Sequence, residues 1–172
     1  MILKRFREYS IKKYLNKTLS NRKVYVDNSK AKSLGILFNI DEYDDYESFR
    51  QLGDFLRMRQ DQLKIVAFSP TQTDKPNFWE ICFNPKDIGW KGNIKNIELE
   101  SFLNKEFDVL ISYYTSDELE LKFLTGVSSA KFKIGILQSD SRINDLIINT
   151  DLKEFKVFKN EVFKYLNILN KI

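Results

Sequence analysis

Five carboxylates fall within seven residues in Asp41-Glu-Tyr-Asp-Asp-Tyr-Glu47, just behind the apolar run Leu34 to Phe38. Carboxylates that follow a buried strand can hold Mg²⁺ and, through it, a phosphorylated substrate. Asp41, Asp44 and Asp45 are the candidate ligands. The same residues also have a structural use: Asp44 and Glu47 have the spacing of a helix capping box, and acidic groups at a helix start are favoured by its dipole. A second set consists of an amide and hydroxyls. Asn39, Ser69, Thr71, Thr115, Ser116 and Ser139 follow four apolar runs ending at Phe38, Phe68, Tyr114 and Leu137, where open α/β sheets receive ligands. Ser116 opens a helical pattern, and helix-start amides suit a phosphate. The alternative use of these hydroxyls is helix capping.

What is missing narrows the chemistry further. The chain has no histidine and one cysteine in 172 residues, which removes His-based triads, His-ligated metals, internal disulfides and thiolate clusters. Cys82 lies between Ile81 and Phe83 with no imidazole to activate it, so a buried, inert thiol is expected. Neither G-x-G-x-x-G nor G-x-x-x-x-G-K occurs, so no loop has the glycines that bring backbone close to pyrophosphate. A phosphoacceptor site would need an Asp after the central strand and a Lys after the fifth, where Tyr113, Tyr114 and Gln138 stand. Trp79 and Trp90, with Lys86, Lys91 and Lys95 close by, form the aromatic and basic mixture of single-strand binders, or else anchor loops. Lysine outnumbers arginine 21 to 7 and there are 14 asparagines. AT-rich codon usage accounts for that and for abundant Phe and Tyr, so aromatic counts alone carry little weight.

The net charge of +4 is unevenly spread. Residues 1–23 hold Lys4, Arg5, Arg7, Lys12, Lys13, Lys17, Arg22 and Lys23 against Glu8 alone, a net of +7, leaving −3 on the rest. Such asymmetry points to a polyanionic partner. The segment reads as a helix, with Ile2, Leu3, Phe6 and Tyr9 on one face and Ile11, Tyr14, Leu15 and Leu19 on another rotated by more than 90°. The switch near Ser10 implies a break or a helix gripped on two sides. Were it instead a solvated helix, Ile2, Leu3 and Phe6 would pack it on the body. On a straight helix Lys13 and Lys17 fall within the first apolar face, which disfavours a membrane-surface helix. No run resembles a signal peptide or a membrane span, so a cytoplasmic protein is expected.

These groups need elements to position them. Strands are expected at Val24 to Val26, Leu34 to Phe38, Leu63 to Phe68, Phe78 to Phe83, Phe107 to Tyr113, Lys131 to Leu137 and Leu146 to Ile148. Between them lie helical patterns opened by Asp44 and by Thr115-Ser-Asp-Glu118, one at about 97–106, and a closing helix from Asp151 with Phe155, Phe158, Val162, Leu166 and Leu169 on one face. Residues 85–92 read as a turn. The alternation implies one α/β domain over 24–172 behind a basic helical arm over 1–23. Its sheet is open and mainly parallel, with helices on both faces, Rossmann-like or flavodoxin-like.

Several segments resemble a family of uncharacterised proteins from Bacteroidetes bacteria, catalogued as a domain of unknown function: Asp87-Ile-Gly-Trp-Lys-Gly92, Phe107-Asp-Val-Leu-Ile-Ser-Tyr-Tyr114, Ala130-Lys-Phe-Lys-Ile-Gly135, Asn144-Asp-Leu-Ile-Ile148 and Lys164 to Lys171. The resemblance implies a cytoplasmic Rossmann-like protein and transfers no activity. The leading expectation is a non-enzymatic accessory protein contacting RNA or a ribonucleoprotein through its basic helix, with no cofactor. One alternative is a small enzyme or binding domain for a phosphorylated or nucleotide-like ligand at the strand ends, with Mg²⁺. The other is a structural subunit of a protein complex.

Overall fold

The first buried run is apolar on both sides: Leu34, Ile36 and Phe38 alternate with Leu37, and every residue of the run is buried. A strand of this kind is stable only between two covering layers. The computed structural model describes residues 1–24, 27–71, 82–136 and 139–172, and in it β1 (Leu34–Asn39) is central. It pairs in parallel with β2 (Leu63–Phe68) on one side and β4 (Val109–Tyr113) on the other. β3 (Cys82–Phe83) extends the sheet beyond β2, while β5 (Phe132–Gly135) and β6 (Leu146–Ile147) extend it beyond β4. The order is β3-β2-β1-β4-β5-β6, with every pairing parallel.

Among the described residues, five helices cover the sheet. α2 (Tyr46–Phe55) and α5 (Phe155–Ile168) place Phe49, Leu52, Phe158, Val162 and Leu166 over Leu34, Ile36, Phe38, Ile111 and Tyr113. α1 (Ile2–Asn21), α3 (Ile97–Asn104) and α4 (Leu119–Val127) cover the other face, where Ile11, Leu15 and Leu19 join Leu37, Leu110, Phe102, Leu121 and Phe123. The basic helix is thus part of one layer of a three-layer sandwich. Gly126 lets it come close: a methyl group there would overlap the end of the Leu15 side chain, which would have to shift.

Several local expectations are corrected. α2 is capped by Asp45, whose Oδ1 accepts the Ser48 N–H at 3.1 Å, and not by Asp44 with Glu47. α4 starts after Glu118 without a side-chain cap, and α5 starts after Glu154, four residues past Asp151. In both cases acceptors near the helix start are used elsewhere: Asp117 accepts from Lys122 and Ser139, and Asp151 from the Lys153 N–H. Cys82 is exposed, not buried; on the two-residue edge strand β3, Phe83 takes the core side and Cys82 faces away. Val24 belongs to no strand. Tyr25, Val26, Phe78 to Ile81, Leu137 and Gln138 lie outside the described residues, as does Trp79.

Candidate functional site

Strand order reverses between β1 and β4, so the crevice beyond their carboxyl ends is the first place to look for a ligand. Asn39 ends β1, and Thr115 and Ser116 follow β4. They are brought together, but around a carboxylate of the chain itself. Glu42 accepts hydrogen bonds from the Thr115 hydroxyl (2.6 Å), the Thr115 N–H (3.1 Å) and Asn39 Nδ2 (3.1 Å), and Asn39 Nδ2 also donates to Ser116 Oγ (3.0 Å). On the neighbouring strand end, the Ser69 hydroxyl, the Thr71 hydroxyl and the Thr71 N–H all donate to Asp41, at 3.1, 2.8 and 3.2 Å. The Ser69, Thr71 and Thr115 hydroxyls are therefore neither helix caps nor open donors; they lace the β1–α2 loop to the loops after β2 and β4. Glu42 is the residue sequence reasoning missed, for nothing local distinguishes it within an acidic run.

The three proposed metal ligands do not converge. Asp41 turns to Ser69 and Thr71, Asp45 caps α2, and Asp44 is exposed. Among the described residues, no group of three or more acidic, histidine or cysteine side chains is arranged to hold a metal ion. Ser139 lines a 460 Å³ cleft with Thr115, Asp117, Asn149, Thr150 and Asp151. Its two carboxylates give it an acidic character. Hydrogen bonds from Lys122 and then Ser139 hold Asp117 below the ordinary carboxylate range.

The basic helix has the opposite character, and its eight cations separate into two groups. Arg7 donates from Nε to the Ile88 carbonyl (3.0 Å), from Nη2 to the Pro85 carbonyl (2.9 Å) and from Nη1 to Glu120 (3.2 Å). Arg22 makes a two-pronged pair with Asp145, at 2.8 and 2.5 Å. Both are part-buried clamps that fasten the ends of α1 to the body. Lys4, Arg5, Lys12, Lys13, Lys17 and Lys23 are exposed. Lys4 lies 4.0 Å from Glu8 across one turn, a spacing that contributes little in water. Lys23 edges a 630 Å³ recess with Thr18, Asn21, Arg22 and Lys131, where α1 and α4 end.

The change of face at Ser10 also has a structural explanation. α1 is unbroken, and Ser10 Oγ donates to the Arg7 carbonyl (2.7 Å) while accepting the Lys91 N–H (3.0 Å). Ile11, Leu15 and Leu19 pack on the body. Ile2, Leu3 and Phe6, which the solvated-helix reading placed against the core, are exposed on the opposite side, as is Tyr9. Within this chain the helix is held on one face and left open on the other.

A parallel six-stranded sheet in this order, with helices on both faces, defines a Rossmann-like α/β protein. The chain belongs to the family of unknown function DUF6913, whose model matches residues 7–169. No curated protein and no solved structure matches it. Among the described residues, no helix is long and apolar enough to cross a membrane.

Proposed function

We propose that the protein is a cytoplasmic, non-enzymatic accessory protein that contacts RNA or a ribonucleoprotein surface through the exposed side of α1. One observation carries this reading: Lys4, Arg5, Lys12, Lys13 and Lys17 are exposed on a helix that Arg7 and Arg22 clamp to the body, with Lys23 exposed just past its end. A fixed helix presents its cations at a set spacing, so phosphate neutralisation requires little further ordering of the backbone. The strand ends support a phosphorylated ligand less well. Ser69, Thr71 and Thr115 already donate to Asp41 and Glu42, and the adjoining cleft adds Asp151, which repels an anion, beside Asp117, which is paired with Lys122.

Binding of the full chain to generic single-stranded RNA across a salt series tests the proposal. Each lysine that releases counterions contributes about 0.7 to the slope of log affinity against log salt. The triple variant Lys12→Gln, Lys13→Gln, Lys17→Gln is expected to lower that slope by about 2. Salt-insensitive binding, or equal slopes for the two proteins, rules the proposal out. Co-purification from the native host separates an RNA partner from a protein complex.

A further inference from the structure

Two features far apart in the chain meet on one surface. The turn after β3 contains short 3-10 segments at Pro85–Asp87 and Trp90–Gly92, and Arg7 and Ser10 hold it against α1 through the Pro85 and Ile88 carbonyls and the Lys91 N–H. Gly92 has a φ of +75° and sits so close to the Phe123 ring that a methyl group would collide with it. The Tyr14 ring packs on the same Phe123 at a centroid distance of 6.1 Å. The turn is therefore fixed beside the helix at Ser10. Residues three, four and seven positions from Ser10 share its side of the helix: Phe6 one turn before, Lys13 and Tyr14 one turn after, Lys17 two turns after.

This strip combines aromatic surface with an excess of positive charge. Trp90 is 51% exposed, Phe6 58% and Tyr14 48%. Lys86, Lys91 and Lys95 are exposed on the turn, and the Lys95 stem lies along Gly89, next to Trp90. Of the nearby carboxylates, Glu120 is paired with Arg7, and Asp87 accepts the Asn84 N–H at 2.9 Å, which leaves the lysines in excess. Large aromatic side chains are normally withdrawn from water, so several at one place among lysines mark a contact surface.

We propose that this strip binds single-stranded RNA in preference to duplex, with Trp90 stacking on an unpaired base while Lys13, Lys17 and Lys91 neutralise flanking phosphates. Duplex RNA hides its base faces, whereas an unpaired strand offers one to every exposed aromatic ring. The proposal rests on the RNA reading above and deepens it by naming the form of RNA.

The test uses the full chain with three probes: a labelled single strand of about 12 nucleotides, a hairpin duplex of the same composition, and vesicles rich in anionic lipid. The single strand is expected to bind about tenfold more tightly than the duplex. Trp90→Ala should cost the single strand about tenfold, within the range of one stacked base, and leave duplex binding unchanged; Trp90→Phe should restore most of the loss. A Trp79→Phe protein should keep the quenching of tryptophan fluorescence by the single strand. Unchanged affinity in Trp90→Ala, or equal affinity for single strand and duplex, overturns the stacking proposal while leaving the electrostatic contact in place. Binding to vesicles without salt-dependent binding to either RNA overturns both.

Discussion

Lys133 carries a charge problem at the scale of a single side chain. It is buried in β5, and its Nζ donates to the Thr125 and Gly126 carbonyls at 2.7 and 3.0 Å, tying off the end of α4 where α1 crosses it. Burial, reinforced by the neighbouring Arg22 cation and opposed by Asp145, pushes its pKa down to about 7 from 10.5. Between those values the unfolded chain holds a proton that the folded chain has released, so stability rises with pH across that window and is lost as pH falls towards 7. Urea unfolding from pH 7 to 10 should show this rise in the wild type. Lys133→Met, which cannot titrate, should show a flatter profile, and parallel profiles would mean that the lysine stays charged in the folded protein.

α1 shows how one element serves two surfaces. Leu15 is buried against Gly126 of α4, while Phe6 points away from the core. Leu15→Ala is expected to destabilise the protein by about 2–5 kcal/mol, the range for a truncated core leucine. Phe6→Ala should change stability by no more than about 0.5 kcal/mol, as for a surface substitution. Urea midpoints measure both, and a large loss in Phe6→Ala would reverse the assignment of faces. The apolar pattern of this helix was legible as two faces, but which one met the body was not. That choice depended on Gly126, Phe123 and the 85–92 turn, all distant in sequence.

Across the whole molecule, the acidic strand ends and the basic outer helix belong to one sandwich, with Lys12 close enough to Asp117 to favour its ionised form. Removing residues 1–23 would strip Ile11, Leu15 and Leu19 from the core. A chain beginning at Val24 is therefore expected to unfold at a lower urea concentration and to bind a hydrophobic dye, which is why the RNA contact calls for point substitutions and not truncation. Undiminished stability of that shorter chain would make α1 a detachable appendage.

The alternation of short apolar runs with helical patterns was enough to specify a parallel α/β sheet, because strands buried on both faces need near-continuous Leu, Ile, Val and Phe. Charge counting alone found the basic helix, and the missing histidine removed whole classes of catalysis. Tertiary structure decided how the polar groups were used. Glu42 reaches Thr115 across the strand ends, and Arg7 and Arg22 leave the set of exposed cations to clamp the helix. The meeting of Trp90 and Lys91 with Ser10 was decided there as well. Such pairings join residues some 70 to 120 positions apart, and local propensity and periodicity contain no information at that range.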